Sequence, residues 1–434
     1  MYFGTDGIRG IANTQITTTL ASRCGNALTI VKENCKVLIG RDTRYSGEML
    51  THAIASGIMQ GGGEVIDVGI MPTAGIAYLT RVYKADFGIV ISASHNPPDH
   101  NGIKIFDHNG FKLGEDSEIE IERAMACEKS VEPSKIGKYT FMHNAGDTYL
   151  SFLIKDSERL DGMKILIDCS NGASFDIAPR VWQMLGADVT AINTNHTGRD
   201  INEKVGALYA HLLSDKVVQG GYDMGFAYDG DSDRLIAIDE SGRIVDGDKI
   251  LYMLARYLNG KNMLTPAKVV GTSHTNMGVE KALQKLGIEL IRSDVGDKYV
   301  LEKMLKSGAR IGAEQSGHII LLDYSTTGDG ILSSVVVANI VREMGEKLSQ
   351  LTDVKLFAQS NVSIPVKDKI RVLNNEDLAR LVEEKKCQLA GSGRLTVRAS
   401  GTENKLRIMV ESEDEIIAKK ISQELEKFVI FLNF

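Results

Sequence analysis

Apolar and polar positions recur in blocks along the chain, and the recurrence predicts one unit used three times. Each copy opens on a lysine and an apolar run: Lys36-Val37-Leu38-Ile39, Lys164-Ile165-Leu166-Ile167 and Lys268-Val269-Val270. Short apolar runs of this kind read as buried strands. A helical period follows. In 48–60, Met49, Leu50, Ala53, Ile54 and Met59 fall largely on one face, and Val181-Trp182-Gln183-Met184-Leu185 and Val279-Glu280-Lys281-Ala282-Leu283 repeat the pattern. A glycine closes each helix (Gly61, Gly186, Gly287), as a left-handed cap requires. A second strand comes next, in Glu64-Val65-Ile66, Asp188-Val189-Thr190 and Glu289-Leu290-Ile291. Strand, helix and strand at this spacing predict a βαβ crossover in a mainly parallel sheet.

Each copy then sends out another strand that ends in a polar tip. The tips are Ser92-Ala93-Ser94-His95-Asn96-Pro97, Asp229-Gly230-Asp231-Ser232-Asp233-Arg234 and Ala313-Glu314-Gln315-Ser316-Gly317-His318. Ligands of open parallel sheets sit beyond the strand ends, so the tips are expected to converge on one cleft. The pattern changes after Val362. Helical stretches at 376–389 and 413–431 bracket two strands, Leu395-Thr396-Val397-Arg398 and Lys405-Leu406-Arg407-Ile408-Met409-Val410, joined by a tight Ser400-Gly401-Thr402 turn. The expected fold class is therefore α/β: three similar domains with mixed or parallel sheets, plus a smaller C-terminal α+β domain, around one central cleft. Boundaries are expected at 1–150, 151–248, 249–362 and 363–434, with short hinges, since no low-complexity or Pro/Ser-rich linker interrupts the chain.

Composition narrows the function classes. A length of 434 residues exceeds one ordinary core, and 43% hydrophobic with 25% charged residues is the balance of a soluble globular protein. A net charge of −7 gives no reason to expect nucleic acid or membrane as a partner. The five cysteines (Cys24, Cys35, Cys127, Cys169, Cys387) are scattered and never form C-x-x-C, which argues for a reducing compartment. The start Met1-Tyr2-Phe3-Gly4-Thr5-Asp6 lacks a basic-then-apolar leader, and no run is long enough to span a bilayer. Cytoplasmic residence is the expectation.

The second tip carries the strongest chemical signal. Asp229, Asp231 and Asp233 follow the apolar run Met224-Gly225-Phe226-Ala227-Tyr228 at i, i+2 and i+4, in a loop that Gly230 permits. Three carboxylates brought together repel unless a cation sits among them. With no Cys or His nearby they select a hard ion such as Mg²⁺ over Zn²⁺. An EF-hand also opens D-x-D-x-D and closes on Glu, where Glu240 falls. Its sixth position should be Gly, however, where this chain has Arg234, and Leu235-Ile236-Ala237-Ile238 reads as strand. A solvated acidic turn is the other alternative.

Ser94 is the candidate nucleophile. No G-x-S-x-G elbow surrounds it, which speaks against a serine hydrolase. His95 is either its partner or a structural loop histidine. A phosphorylated serine needs charge neutralisation, which carboxylate-held Mg²⁺ would supply, and positioning with electrostatics is most of what phosphoryl transfer requires. Arg9, Lys104 and Arg234 would assist; each alone equally reads as a surface charge. Arg398, Ser400, Gly401 and Thr402, with Arg407 facing them, read as an anion nest or as a plain polar hairpin. Glu314 and Ser316, two apart on one extended face, suit vicinal sugar hydroxyls or an ordinary loop network. His318 is a proton-carrier candidate.

In this order, over essentially the whole chain from Phe3-Gly4-Thr5-Asp6-Gly7-Ile8-Arg9-Gly10 to the Arg398 loop, these segments resemble the α-D-phosphohexomutase superfamily. The resemblance implies four domains around a cleft and a phosphoserine at Ser94. Mg²⁺ would be held by Ser94, Asp229, Asp231 and Asp233. A sugar 1,6-bisphosphate would turn over as intermediate and activator. It assigns Arg9, His95, Lys104, Arg234 and His318 to catalysis, and Glu314, Ser316, Arg398, Ser400, Gly401, Thr402 and Arg407 to the substrate. It also implies hexose phosphates as partners and a homodimer. Glu314-Gln315-Ser316-Gly317-His318, Thr326-Thr327-Gly328-Asp329-Gly330 and the N-terminal motif are most similar to the branch that interconverts glucosamine 6-phosphate and glucosamine 1-phosphate for amino-sugar nucleotide synthesis. Ala313, Ala399, Asn404 and Lys298 depart from the usual residues, which puts sugar preference in question but not reaction class. The alternatives are a glucose or mannose phosphomutase and, from another class, a non-catalytic sugar-phosphate sensor.

Overall fold

Three sheets in a computed structural model share one topology. The structure describes residues 2–4, 6–400 and 403–432. In the first sheet, strand Lys36–Arg41 runs parallel to both Glu64–Ile70 and Phe87–Ile91, and Phe87–Ile91 pairs antiparallel with His100–Asp107. In the second, Lys164–Asp168 runs parallel to Asp188–Ile192 and Met224–Tyr228, and Met224–Tyr228 turns back antiparallel into Leu235–Asp239. In the third, Lys268–Thr272 lies between Glu289–Ser293 and Ile311–Ala313, and the latter returns antiparallel through Ile319–Leu321. The threefold repeat is thus a repeat of mixed sheets. The connections 92–99, 229–234 and 314–318 are too short for a parallel crossover, so the strand after each tip must return antiparallel. Each tip is therefore anchored in its sheet at both ends. Ile8–Ile11 and Tyr139–Phe141 add edges to the first sheet, and Ile244–Val245 to the second.

Helix ends follow the glycine expectation in two of three copies. Gly186 caps with φ 84° and Gly287 follows its helix with φ 74°, but Gly61 has φ −85° and the left-handed residue is Gly62 at 88°. Gly61 is needed for another reason: a Cβ there would overlap the Thr29 side chain, where helices Thr18–Val31 and Gly47–Gln60 approach closely.

The chain divides into two compact units, Met1–His274 with Leu290–Asp353 and Thr275–Glu289 with Val354–Phe434. The second holds an antiparallel sheet ordered Ala358–Pro365, Lys405–Ser412, Gly393–Ala399, with helices Glu376–Leu389 and Glu415–Leu432. Ile364, Leu378, Leu406, Ile408, Val410 and Leu425 form its core. Helix Met277–Lys285 belongs to this unit. The Met277 N–H donates to Glu411 Oε1 at 3.0 Å and Lys281 Nζ to the Gly391 carbonyl at 2.7 Å. Among the described residues no helix is long and apolar enough to cross a membrane.

Candidate active site

The three tips meet within the first unit. The Ser94 Oγ donates to Asp229 Oδ2 at 2.7 Å, and the Leu235 N–H donates to the Gly317 carbonyl at 2.8 Å. Arg234 and His318 form an isolated antiparallel bridge between the second and third tips. Gly230 is required for close approach: a Cβ there would stand 2.6 Å from the Ser94 carbonyl oxygen. In the first two tips the left-handed positions are serines, Ser94 at φ 50° and Ser232 at 62°, and in the third it is Gly317 at 92°. Such backbone is disfavoured for non-glycine residues and persists where surroundings over-determine it.

Ser94 is 1% exposed, and its N–H donates to Ser92 Oγ at 2.9 Å. His95 Nδ1 lies 3.3 Å from Ser94 Oγ. Burial first, then the positive Arg234 and Arg9, lower the His95 imidazole to about 4, so it is neutral at pH 7. The serine hydroxyl addresses a carboxylate directly, unlike the serine–histidine–carboxylate relay of a hydrolase.

Asp229, Asp231 and Asp233 are buried, and one oxygen from each lies within 4.8 Å of the others. Strands flank the loop on both sides and Glu240 bonds Ser349 instead, which removes the EF-hand alternative. The burial removes the solvated-turn alternative. Lys104 enters from the return strand of the first copy, with Nζ 2.8 Å from Asp231 Oδ2, 3.3 Å from Asp6 Oδ2 and 3.4 Å from Asp233 Oδ2. Thr73 Oγ1 also donates to Asp231 Oδ2, at 2.6 Å. Burial opposes charge on Lys104, but Asp231, Asp6 and Asp233 outweigh it and raise the ammonium well above its usual range. Burial likewise opposes the Asp231 carboxylate, and Lys104 outweighs it, holding Asp231 below the usual range. At Asp229 burial wins and the negative Asp233 and Asp231 add to it, so that carboxyl is pushed well up. The buried oxygens Asp231 Oδ1 and Asp233 Oδ1 have no hydrogen-bond partner. Buried, unpartnered carboxylate oxygens are costly. An all-oxygen donor set of this kind fits a hard divalent cation such as Mg²⁺.

The remaining predicted residues are placed as follows. Arg9 pairs with Asp6 and directs Nη1 to the Ala93 carbonyl at 3.4 Å. Arg234 stands 4.0 Å from Asp233, its Nε buried without a hydrogen-bond partner. His318 Nε2 is 3.4 Å from Asp297 Oδ2, and neither ring nitrogen has a hydrogen-bond partner. The third tip corrects one expectation. Residues 314–317 form a turn, with the Gly317 N–H donating to the Glu314 carbonyl at 2.9 Å, so Glu314 and Ser316 do not share an extended face. Glu314 is buried and accepts from the Gly296 N–H at 2.9 Å, while Ser316 is exposed. Lys298 pairs with Glu118 at 3.2 Å.

In the second unit Arg398 stands directly opposite Arg407 in the antiparallel register. Ser400 is buried; its N–H donates to the Lys405 carbonyl at 2.9 Å, and its carbonyl accepts from Lys369 Nζ at 2.7 Å. Gly401 and Thr402 lie outside the described residues.

Several residues of the first-unit site carry no sequence signal of their own. Asp6 joins Arg9, Lys104 and Lys112, and Asp297 joins Lys112 and His318. Arg44, 2% exposed, and Asn202, 8% exposed, both donate to the Ser94 carbonyl. Beside the Ser94 loop lies a cavity of about 800 Å³ lined by His95, Asn96, Arg199, Lys204 and Tyr209 among others, a volume suited to a small-molecule ligand.

Four family models match in order, all described as phosphoglucomutase/phosphomannomutase. They are α/β/α domain I at residues 1–132, domain II at 147–242, domain III at 246–357 and the C-terminal domain at 361–428. The phosphoglucosamine mutase of Bacillus licheniformis is 43% identical over 429 residues, covering 96% of each chain. That of Halalkalibacterium halodurans is 45% identical over 423 residues, covering 95% of each. Among solved structures, a phosphoglucomutase/phosphomannomutase family protein from Burkholderia thailandensis superposes with TM-score 0.82 at 21% identity, covering 99% of this chain and 97% of that one. N-acetylphosphoglucosamine mutase of Aspergillus fumigatus, in complex with GlcNAc-6P and magnesium, gives TM-score 0.70 at 14% identity, covering 100% and 96%. These two show a shared fold. The ordered domain models and the near-full-length relatives together show that the chain belongs to the phosphoglucomutase/phosphomannomutase family and resembles its phosphoglucosamine mutases.

Proposed function

We propose that this protein is an isomerase that interconverts glucosamine 6-phosphate and glucosamine 1-phosphate, with Ser94 as the phosphate carrier. The observation that carries the reading is the buried Ser94–Asp229 hydrogen bond at the edge of a carboxylate cluster with two unpartnered oxygens. In the reaction a sugar hydroxyl attacks phosphorus on phosphoserine 94, the bond from phosphorus to the serine oxygen breaks, and a sugar 1,6-bisphosphate results. The bisphosphate reverses and returns its other phosphate to Ser94. Mg²⁺ held by Asp229, Asp231, Asp233 and the phosphorylated Ser94 would neutralise charge on the transferring group. Lys104, held as an ammonium by three carboxylates, serves as a fixed positive charge rather than a base. His318, whose ring nitrogens make no hydrogen bond and whose Nε2 lies 3.4 Å from Asp297 Oδ2, is the candidate to take the hydroxyl proton. Arg9 and Arg234 add positive charge beside Ser94, and neutral His95 orients its oxygen. Glu314 and Ser316 are the proposed sugar contacts. Arg398, Ser400, Gly401, Thr402 and Arg407 are the proposed phosphate holders. Hexose phosphates as partners are supported by the named relatives, cytoplasmic residence by five unpaired cysteines, and a homodimer by the family resemblance alone.

The test compares kcat/KM for glucosamine, glucose and mannose 6-phosphates, together with peptide mapping after incubation with a sugar 1,6-bisphosphate. The expected result is preference for glucosamine 6-phosphate and one added phosphate on Ser94. A clear preference for mannose 6-phosphate, or full activity in Ser94→Ala, would overturn the reading.

A further inference from the structure

We infer that Arg44 and Asn202 are positioning residues that fix the phosphoryl-carrying geometry of Ser94; this rests on the reading that Ser94 carries phosphate. Arg44 is 2% exposed, and every N–H of its guanidinium has an acceptor. Its Nε donates to Asp42 Oδ2 at 2.9 Å, and Nη1 donates to the His100 carbonyl at 2.9 Å and to the Pro97 carbonyl. Nη2 donates to the Ser94 carbonyl at 2.9 Å and the Asn96 carbonyl at 2.8 Å. One planar fork thus gathers three carbonyls of the loop that follows the strand Phe87–Ile91 and the first carbonyl of the return strand His100–Asp107. A lysine, with a single nitrogen, cannot span them.

A second arm reaches the same loop from the second copy of the repeat. Asn202 Nδ2 donates to the Ser94 carbonyl at 2.8 Å and to the Asn96 carbonyl at 3.2 Å. The Ser94 N–H is held as well. It donates to Ser92 Oγ at 2.9 Å, and Ser92 Oγ donates to Asp42 Oδ2 at 2.5 Å, the same oxygen that Arg44 holds. Both polar groups of the Ser94 backbone are therefore pinned by side chains. This is what keeps a non-glycine residue at φ 50°, and at that φ the Oγ faces Asp229 at 2.7 Å. Release of the clamp would let the peptide relax and turn the nucleophile off the carboxylates. Small misplacements of a reacting group are expensive in rate.

The experiment uses the full chain with Arg44→Lys and Asn202→Gly, the latter because Asn202 itself has φ 60° and glycine accepts it. Each variant is expected to lower kcat about ten- to a hundredfold with little change in KM. Amide hydrogen exchange over residues 94–100 is expected to speed up while exchange in the strand Lys36–Arg41 stays at the wild-type rate. Asn202→Gly decides the case in which Arg44→Lys does not fold. Wild-type kcat, or a raised KM with kcat intact, overturns the inference. So does wild-type exchange at 94–100, which is read whether or not the wild type turns over sugar phosphates. Phosphate on wild-type Ser94 separately tests the reading beneath it.

Discussion

Replacing Lys104 with methionine tests the electrostatics of the site most directly. Methionine keeps most of the length and volume of the lysine stem while deleting a cation that is 2% exposed and lies 2.8, 3.3 and 3.4 Å from carboxylates of Asp231, Asp6 and Asp233. At an effective dielectric of about 20, each such pair has a gross attraction of roughly 5–6 kcal/mol. The ammonium's own desolvation offsets much of that total. Breaking a buried pair by removing one partner typically leaves a net loss of about 3–5 kcal/mol, because the remaining charges stay buried and unpaired. In chelator, Lys104→Met should therefore be less stable than wild type by about 3–5 kcal/mol. A divalent cation among Asp229, Asp231 and Asp233 would replace the missing charge, so saturating Mg²⁺ should narrow the gap. The assay is urea unfolding with and without Mg²⁺, followed by fluorescence of the single tryptophan, Trp182. That residue is buried and stacks on Phe226 at 5.4 Å, in the strand that leads into the aspartate loop, so it reports the relevant domain. A gap below about 1 kcal/mol in chelator, the scale of an exposed pair, would refute the claim that Lys104 neutralises the cluster. A gap unchanged by Mg²⁺ would refute the claim that a divalent cation can take over its charge.

Two further outcomes follow from the packing. Asp329 is 2% exposed and accepts from Tyr149 Oη at 2.7 Å and from the Leu332 N–H at 2.9 Å, and burial raises its carboxyl to about 6. A raised folded-state value means the neutral acid's stabilising share is complete below the unfolded value near 4 and is lost as pH climbs through 6. Asp329→Asn keeps the helix cap and should remove that slope, gaining up to about 3 kcal/mol over wild type between pH 4 and 7 in urea unfolding; parallel curves would contradict this. Gly57→Ala would drive a methyl into the Ser22 carbonyl where helices Thr18–Val31 and Gly47–Gln60 cross, and should cost about 1–3 kcal/mol with the secondary structure by circular dichroism unchanged.

The parts legible in the sequence were those written as a pattern. The repeated lysine-led strand, the helical period and the polar tip survive divergence because burial enforces periodicity, and the aspartates were visible because like charges at alternating positions after a buried strand call for a cation, although burial was needed to remove the solvated-turn alternative. Sheet direction was less legible: Leu235-Ile236-Ala237-Ile238 reads as strand, but only the length of the preceding loop says that it returns antiparallel. Asp6, Arg44, Lys112, Asn202 and Asp297 were not legible, since a single polar residue in a loop looks the same whether it faces water or a buried partner. For Arg44 the available hint was its place just beyond a buried strand, in Arg41-Asp42-Thr43-Arg44, where two cations flank an acid. The turn at 314–317 escaped because Gln315 and Ser316 tolerate extended and turn backbone alike.

The double anchoring of each tip works as a reading frame. Ile91 faces Ile103, Tyr228 faces Leu235 and Ala313 faces Ile319 across antiparallel pairs. Side chains within a tip differ from copy to copy, so that one scaffold presents a serine, a set of aspartates and a glutamate, while close approaches such as that at Gly230 stay fixed. Length is another matter. Ile103 and Ile105 point into the core on either side of Lys104. A single residue gained or lost between Pro97 and Asn101, unless a bulge absorbed it, would slip the return strand by one position. It would turn the lysine into the core and set an isoleucine against Asp231.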